Sequence, residues 1–235
     1  MEKSTITKFG FYSSLTLVIL TVIAFGFAMI AVPPAGPYCP ANCMDYPFRD
    51  IMLYYPRDYY WMYLAVVQLL AYLVFTISIH FIAPGEKKIF SFTSIAFALI
   101  SSVILLADYF IQFSVVPISM MKGETEGIAL ITQYNGHGIF IALEELGYLM
   151  MSLALFFIAP VFSTKNRLEK TIRFILFSPF VLSILSLVFY ISKFGIDRDY
   201  RFEVAAITIN WLLIIVAGIL ISVFFKRYMK KGKSK

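Results

Sequence analysis

Three carboxylic acids lie inside long apolar runs of the sequence, where charged side chains are unusual. Asp108 follows the run FALISSVILLA, and Glu144 and Glu145 follow GIFIAL. A lipid-facing charge at the centre of a membrane helix costs about 2.5–3.5 kcal/mol on insertion scales. We therefore expect these acids to face the interior of a helix bundle, where each is either protonated or paired. They are the first candidates for binding a cation or transferring a proton.

The predicted depths of these acids agree. Asp108 and Glu144 both lie roughly 11 Å below the same boundary of the apolar segments, at 1.5 Å per helical residue. Three other predicted helices place a polar side chain at this level: Gln68, Ser186 and Asn210. Five of six helices are therefore predicted to contribute to one polar layer, which opens toward the outer side of the membrane as a cavity.

Helical spacing adds further polar residues to the same faces, because residues four apart lie on one side of a helix. Glu145 points about 100° away from Glu144 and is expected to face a neighbouring helix, whereas Glu144 is expected to face the cavity. The predicted ligand-binding residues are Gln68, Tyr72, Asp108, Gln112, Glu144, Glu145, Tyr148, Ser186, Tyr190 and Asn210.

The uncharged polar residues of these helices have a second possible role, which is purely structural. Hydroxyl and amide side chains often only join membrane helices through hydrogen bonds of about 1 kcal/mol. This interpretation is favoured for Thr76, Ser94 and Ser101, and it is as good as binding for Gln68 and Asn210. Ionisable groups are poor choices for joining helices, so binding is favoured for Asp108 and Glu144. Acids outnumber bases in the layer, which indicates a small-molecule cation, an amine or a proton as the ligand.

The composition indicates the class of protein that must position these groups. Of 235 residues, 60% are hydrophobic and 14% are charged. A soluble domain has about 25% charged residues, and here the apolar excess falls in runs of more than twenty residues. The composition excludes a soluble enzyme, a disordered chain, a disulfide scaffold and a nucleic-acid-binding domain. The chain is expected to be an integral membrane protein surrounded by lipid.

Six runs are long enough to cross a hydrocarbon core of about 30 Å as helices. The fold class is therefore all-α: a single membrane domain, residues 1–235, built as a bundle of six transmembrane helices. The predicted helices are 9–32, 61–83, 90–116, 137–162, 174–194 and 204–225. Residues 117–136 are predicted to form an external loop with an interfacial helix.

Basic residues indicate the orientation, because cytoplasmic loops of membrane proteins are enriched in Lys and Arg. If the N-terminus is cytoplasmic, the inner segments hold 14 of the 20 basic residues, six of them in the tail 226–235. The outer segments hold eight acids, including Asp58, Asp197, Asp199 and Glu203. Both termini are therefore predicted to face the cytoplasm, in the plasma membrane. The first apolar run is too long for a cleaved signal peptide, so it is expected to remain as a helix.

The first outer loop, residues 33–60, contains the only two cysteines, Cys39 and Cys43. A local disulfide on the oxidising side of the membrane is the favoured interpretation. A redox-active pair is the alternative, although the spacing is C-x-x-x-C and no relay cysteines exist. Tyrosines and Trp61 at the end of this loop are typical of an interfacial aromatic belt.

Several membrane-enzyme motifs are absent from the sequence. It has no H-E-x-x-H, no phosphate-binding glycine loop and no lysine suited to retinal attachment, and two histidines cannot form a three-histidine zinc site. No metal site and no cofactor are therefore expected. Acid–base chemistry by Asp108 and Glu144 remains available to an enzyme.

The segments ADYFIQFSVV (107–116) and HGIFIALEELGYLMMSLALFFIAP (137–160) resemble a family of small, uncharacterised, six-helix membrane proteins of prokaryotes. The resemblance covers residues 90–220 and implies no activity. The acids at 108, 144 and 145 fall within the segments that carry it.

Three functions remain open on the sequence. The leading hypothesis is a small-solute or cation carrier, linked to protons, that uses Asp108 and Glu144. The second is a membrane enzyme that acts on a lipid or isoprenoid with the same carboxyls. The third is a receptor or assembly partner that uses the outer loop. A homo-oligomer is compatible with only six helices, although no G-x-x-x-G pattern marks a dimer face.

Overall fold

A computed structural model describes residues 3–31 and 34–232. Glu2 of the first predicted inner segment, and Lys233 and Lys235 of the predicted basic tail, lie outside the described residues. So do residues 32 and 33, where the first helix was expected to end and the outer loop to begin.

The described residues form eight α-helices and no β-strand. They are α1 (Lys3–Ile30), α2 (Tyr60–His80), α3 (Lys88–Ser114), α4 (Val116–Lys122), α5 (Ile128–Ile131), α6 (Ile139–Ile158), α7 (Arg167–Phe194) and α8 (Tyr200–Gly232). Six of them, all except α4 and α5, are long and apolar enough to cross a membrane. The prediction of an all-α protein with six such helices is confirmed, and it supports a multi-pass membrane protein.

Three helices begin four or more residues before their predicted starts: α1, which begins at Lys3 instead of residue 9, and α7 and α8. Asn166 caps α7, because its side-chain oxygen accepts a hydrogen bond of 3.0 Å from the Glu169 amide, and Glu169 in turn accepts from Asn166 and from the Ser163 amide. This reciprocal pattern fixes the helix start at Arg167 instead of residue 174. Helix α8 begins at Tyr200 instead of residue 204, which brings Glu203 into its first turn.

Five of the long helices form a closed ring, and the sixth lies outside it. Around the ring, α1 packs on α2, α2 on α3, α3 on α6, α6 on α8 and α8 back on α1. Helix α7 packs against α6 and α8 from outside, and only 17% of its most apolar stretch is buried, so most of its surface is left for lipid. We call the end of the bundle that holds residues 34–59, 115–138 and 195–199 the loop end.

Hydroxyl groups and glycine bring α3 and α6 close together. Ser94 donates to the carbonyl of Ala154 and Ser101 to that of Gly147, each over 2.7 Å. A side chain at Gly147 would meet the Leu105 side chain across this interface. Small residues permit such close approach between membrane helices. These serines therefore have the structural role that the sequence favoured for them.

Replacing Gly147 by leucine is expected to lower the melting temperature of the detergent-solubilised protein, because overpacking a tight interface costs about 1–3 kcal/mol. Tryptophan emission during heating measures the change. Gly26→Leu is the matched control, since Gly26 lies on α1 with no neighbouring atom within 4 Å of an added Cβ. Equal melting temperatures for the two variants would contradict the close α3–α6 contact.

Candidate cation-binding site

Three buried carboxyl groups meet near the loop end of the bundle. Asp108 comes from α3, Glu144 from α6 and Glu203 from α8, and their exposed fractions are 3%, 1% and 7%. These carboxyl groups are close enough to interact electrostatically, Glu144 with Glu203 and Asp108 with both. Two negative charges so close together in a buried site repel each other, which favours a proton on at least one of the groups. We call Glu144 and Glu203 the acid pair.

Two tyrosines extend this cluster into a hydrogen-bonded chain. The Tyr109 hydroxyl lies 2.8 Å from Glu144 Oε1 and 2.8 Å from the Tyr148 hydroxyl. Each hydroxyl has a single proton, so when Tyr109 donates to Glu144 it must accept from Tyr148. Both tyrosines are buried, and Tyr109 packs edge-on against Trp61 with ring centroids 5.2 Å apart. The chain fixes the position of the Glu144 carboxyl.

One oxygen of Asp108 has no partner. Its Oδ2 atom is fully buried, and no hydrogen-bond donor reaches it within the part of the chain that the structure describes. Most buried polar atoms in proteins are hydrogen-bonded, and an unsatisfied one costs about 1–3 kcal/mol. Asp108 therefore carries an energetic cost that its own surroundings do not offset.

The assignment of Glu203 to the outer loop is wrong. Hydropathy places it among the outer acids, but it lies buried in the first turn of α8 and lines the same cavity as Glu144. The reason is the early start of α8. A sequence signal existed, because Glu203 precedes Asn210 by seven residues and therefore shares its helix face. Tyr109, next to Asp108, is absent from the residues predicted for the site. It lies seven residues after the buried Ser102 and therefore shares its helix face.

Glu145 pairs with a base in the turn between α7 and α8. There its carboxylate forms an ion pair with Arg198, and 28% of the Arg198 side chain and 11% of the Glu145 side chain are exposed. The guanidinium of Arg198 also lies over the Phe202 ring, 5.7 Å from its centroid. Glu145 thus joins α6 to the segment that precedes α8.

The structure places three other predicted site residues in contacts between helices. Gln68 donates to Thr21 Oγ1 of α1 over 3.3 Å, and Tyr72 donates to the carbonyl of Met151 over 3.2 Å. Asn210 donates to the carbonyls of Ala206 and Tyr148, at 2.9 and 3.3 Å. Of these, Asn210 approaches the cluster most directly, through the backbone of Tyr148.

The remaining predicted residues either bond to a loop or lie on the peripheral helix α7. Gln112 holds the loop beyond α5, because its amide donates to the Ile131 carbonyl at 2.8 Å and accepts from the Gln133 amide at 3.0 Å. Ser186 is half-buried on the peripheral helix α7. Tyr190, also on α7, is half-buried and stacks on Phe194 with ring centroids 6.1 Å apart. Equal depth in the membrane does not bring these side chains into a single layer.

A cavity of about 220 Å³ borders the acid pair at the loop end. Glu144 and Glu203 line it, together with Asp58 at the start of α2 and Tyr200 at the start of α8. The rest of its wall is mainly apolar and aromatic. Asp108 does not line it, but it interacts electrostatically with Glu203.

Asp58 differs from the other acids of the cavity because it is paired with a base. Arg57 Nε donates to Asp58 Oδ1 over 2.7 Å, and the Tyr134 hydroxyl donates to Oδ2 over 3.3 Å. Burial raises the pKa of Tyr134 above its ordinary value, so this hydroxyl remains a donor. The negative charge of Asp58 is therefore balanced within the protein.

The first loop closes over Tyr200. A disulfide joins Cys39 and Cys43, and Met44 donates its amide to the Pro34 carbonyl at 2.6 Å. Gly36, with a positive φ of 68°, lies so close to the Tyr200 ring that a Cβ atom there would overlap it. The loop thereby fixes one wall of the cavity.

No family model, curated protein or solved structure matches this chain. The chemistry of the site therefore follows from its own geometry.

Proposed function

We propose that this protein is a carrier that exchanges a monovalent cation for a proton at the Glu144–Glu203 pair. The observation that carries the proposal is that two buried carboxyl groups, Glu144 of α6 and Glu203 of α8, line the same cavity. Ionisable groups inside membrane segments are costly, and in membrane proteins they commonly mark ion or proton pathways.

The acid pair has charge states suited to such exchange. With both carboxyls protonated the pair is neutral, and after one proton leaves, the pair has one negative charge. A bound monovalent cation would restore neutrality. One cation in and one proton out is therefore an electroneutral exchange, which avoids leaving a net charge in the apolar interior.

The distribution of basic residues supports the direction in which the site opens. Lys and Arg are concentrated at the end of the bundle that holds both termini, so we propose that these termini are cytoplasmic and that the loop end faces the outside of the plasma membrane. The cavity at the loop end would then receive its cation from the outer side.

Proteoliposomes with an acidic interior provide the test, with a pH-sensitive dye reporting the gradient and protein-free liposomes setting the background leak. We expect sodium, potassium or ethanolamine, added outside, to dissipate the gradient about tenfold faster with the wild-type protein than with Glu144→Gln or Glu203→Gln. Each variant keeps the shape of its side chain but removes the ionisable group.

Glu124→Gln is the matched control, because Glu124 is exposed in the loop that follows α4 and should exchange at the wild-type rate. The carrier function would be rejected if none of these cations dissipated the gradient faster with the protein than in protein-free liposomes. It would also be rejected if both interior variants matched the wild type while retaining its melting temperature.

A further inference from the structure

The cavity beside the acid pair has a wall suited to an apolar group. Phe25 of α1, Trp61 of α2, Phe140 and Ile141 of α6 and Ile207 of α8 line it. Binding sites for organic molecules are typically apolar cavities with a few polar groups that fix orientation. An inorganic cation with its hydration shell would gain nothing from these side chains.

The cavity has no basic side chain to balance a negative charge of the acid pair. Arg57 and Tyr134 satisfy Asp58, and no lysine or arginine is among the lining residues in the described part of the chain. When Glu144 and Glu203 hold one proton between them, the pair has one negative charge. In that state the cavity is complementary to a single positive charge.

Tyr200 contributes a polar group that lacks a partner. Its side chain lines the cavity and is only 2% exposed, and its hydroxyl makes no hydrogen bond to any described residue. Such a buried hydroxyl costs free energy unless something satisfies it. An N–H group of a ligand beside Glu203, one turn further along α8, could donate to it.

Part of the cavity wall reaches the surface of the protein. Of the residues that line it, Met29 at the end of α1 is 66% exposed and Tyr38 of the first loop is 39% exposed. Val204, Ile207 and Thr208 of α8 also line it. An amphipathic molecule could therefore enter beside the exposed Met29 without crossing the bundle.

From these four features together, we infer that the cavity binds a protonated primary amine with an apolar tail. The ammonium group lies between the Glu144–Glu203 pair and the Tyr200 hydroxyl, and the tail lies against Phe25, Trp61 and Ile207. This inference rests on the proposed carrier function, because it names the class of cation that the same acid pair binds.

Tryptophan fluorescence can test this directly, because the only two tryptophans of the chain are at the site. Trp61 lines the cavity, and the centroid of Trp211 lies 6.3 Å from that of Trp61. We expect hexylamine at neutral pH to change the emission of the purified full-length protein saturably, and its affinity to be about tenfold or more weaker in Glu203→Gln and Glu144→Gln. Glu124→Gln should bind as the wild type does.

Hexanol and hexanoate, which have the same tail, are the control ligands. If hexanol saturated the response at the same concentrations as hexylamine, the site would recognise the tail alone and the inference would be overturned. Tighter binding of hexanoate than of hexylamine would also overturn it, because the site would then prefer a negative charge. Tyr200→Phe should weaken hexylamine binding and leave any response to hexanol unchanged; a tryptophan response unaltered in all three variants would also overturn the inference.

The two proposals fail separately. Sodium or potassium exchange that depends on Glu203, without hexylamine binding, would overturn the amine inference and leave the carrier function standing. Hexylamine binding that depends on Glu203, without exchange of any tested cation, would support the amine inference while the carrier function fell.

Discussion

Replacing Arg198 by alanine is expected to lower the melting temperature of the detergent-solubilised protein by about 6 °C or more, from a loss of about 3 kcal/mol. The substitution leaves the Glu145 carboxylate without its partner while it remains largely buried between α6 and the turn before α8. It also removes the contact of the guanidinium with Phe202. The loss should exceed that of an exposed ion pair, which contributes about 0–1 kcal/mol.

Two further variants separate the charge effect from lost packing. Arg49→Ala removes an exposed loop arginine and should change the melting temperature little. Adding Glu145→Gln to Arg198→Ala removes the unpaired carboxylate, so the double variant should regain much of the lost stability. A double variant no more stable than Arg198→Ala would show that lost packing, and not the unpaired charge, causes the effect.

The Arg198–Glu145 pair also affects the site indirectly. Arg198 lies two residues before Tyr200 and five before Glu203, so the pair fixes the start of α8 relative to α6. The positions of Glu144 and Glu203 depend on that same alignment. Adjacent acids on α6 thus have different environments: Glu145 is paired with a base, whereas Glu144 lines the cavity with another acid, Glu203.

The sequence predicted the helices well because the membrane imposes a length and a polarity on each one. It predicted their ends poorly, because a capping group can extend a helix beyond its apolar run. Asn166 and Glu169 begin α7 in polar sequence, and the early start of α8 buries Glu203. An acid in the first turn of a helix is indistinguishable from a loop acid when only hydropathy is considered.

The candidate site was only partly predictable for a different reason. Residue spacing gives depth along a helix, but it does not give the rotation of that helix about its axis relative to its neighbours. Gln68 and Asp108 were assigned to one level, yet Gln68 faces α1, where it contacts Thr21. Spacing within one helix did relate Glu144 to Tyr148, which the structure connects through Tyr109. The proximity of Glu144 and Glu203 requires knowledge of how α6 packs against α8.

Replacing Asp108 by leucine is expected to stabilise the protein and to impair its exchange activity. The Oδ2 atom of Asp108 is buried without a partner, so an apolar side chain of similar shape should raise the melting temperature by about 2–6 °C. The same change removes the carboxyl group that interacts with Glu203, and cation exchange in proteoliposomes should fall about tenfold or more. Residues that are kept at a cost to stability are commonly those on which function depends.

Asp50→Leu is the control for the stability measurement, because Asp50 is exposed in the first loop and its side chain makes no capping hydrogen bond. A lower melting temperature for Asp108→Leu would show that the carboxyl group stabilises the bundle. A higher melting temperature with unchanged exchange would remove Asp108 from the transport site and leave the Glu144–Glu203 pair to act alone. If Asp108 is retained for ion binding, Asp108→Leu should both stabilise the protein and abolish exchange. Packing alone would favour leucine at this position.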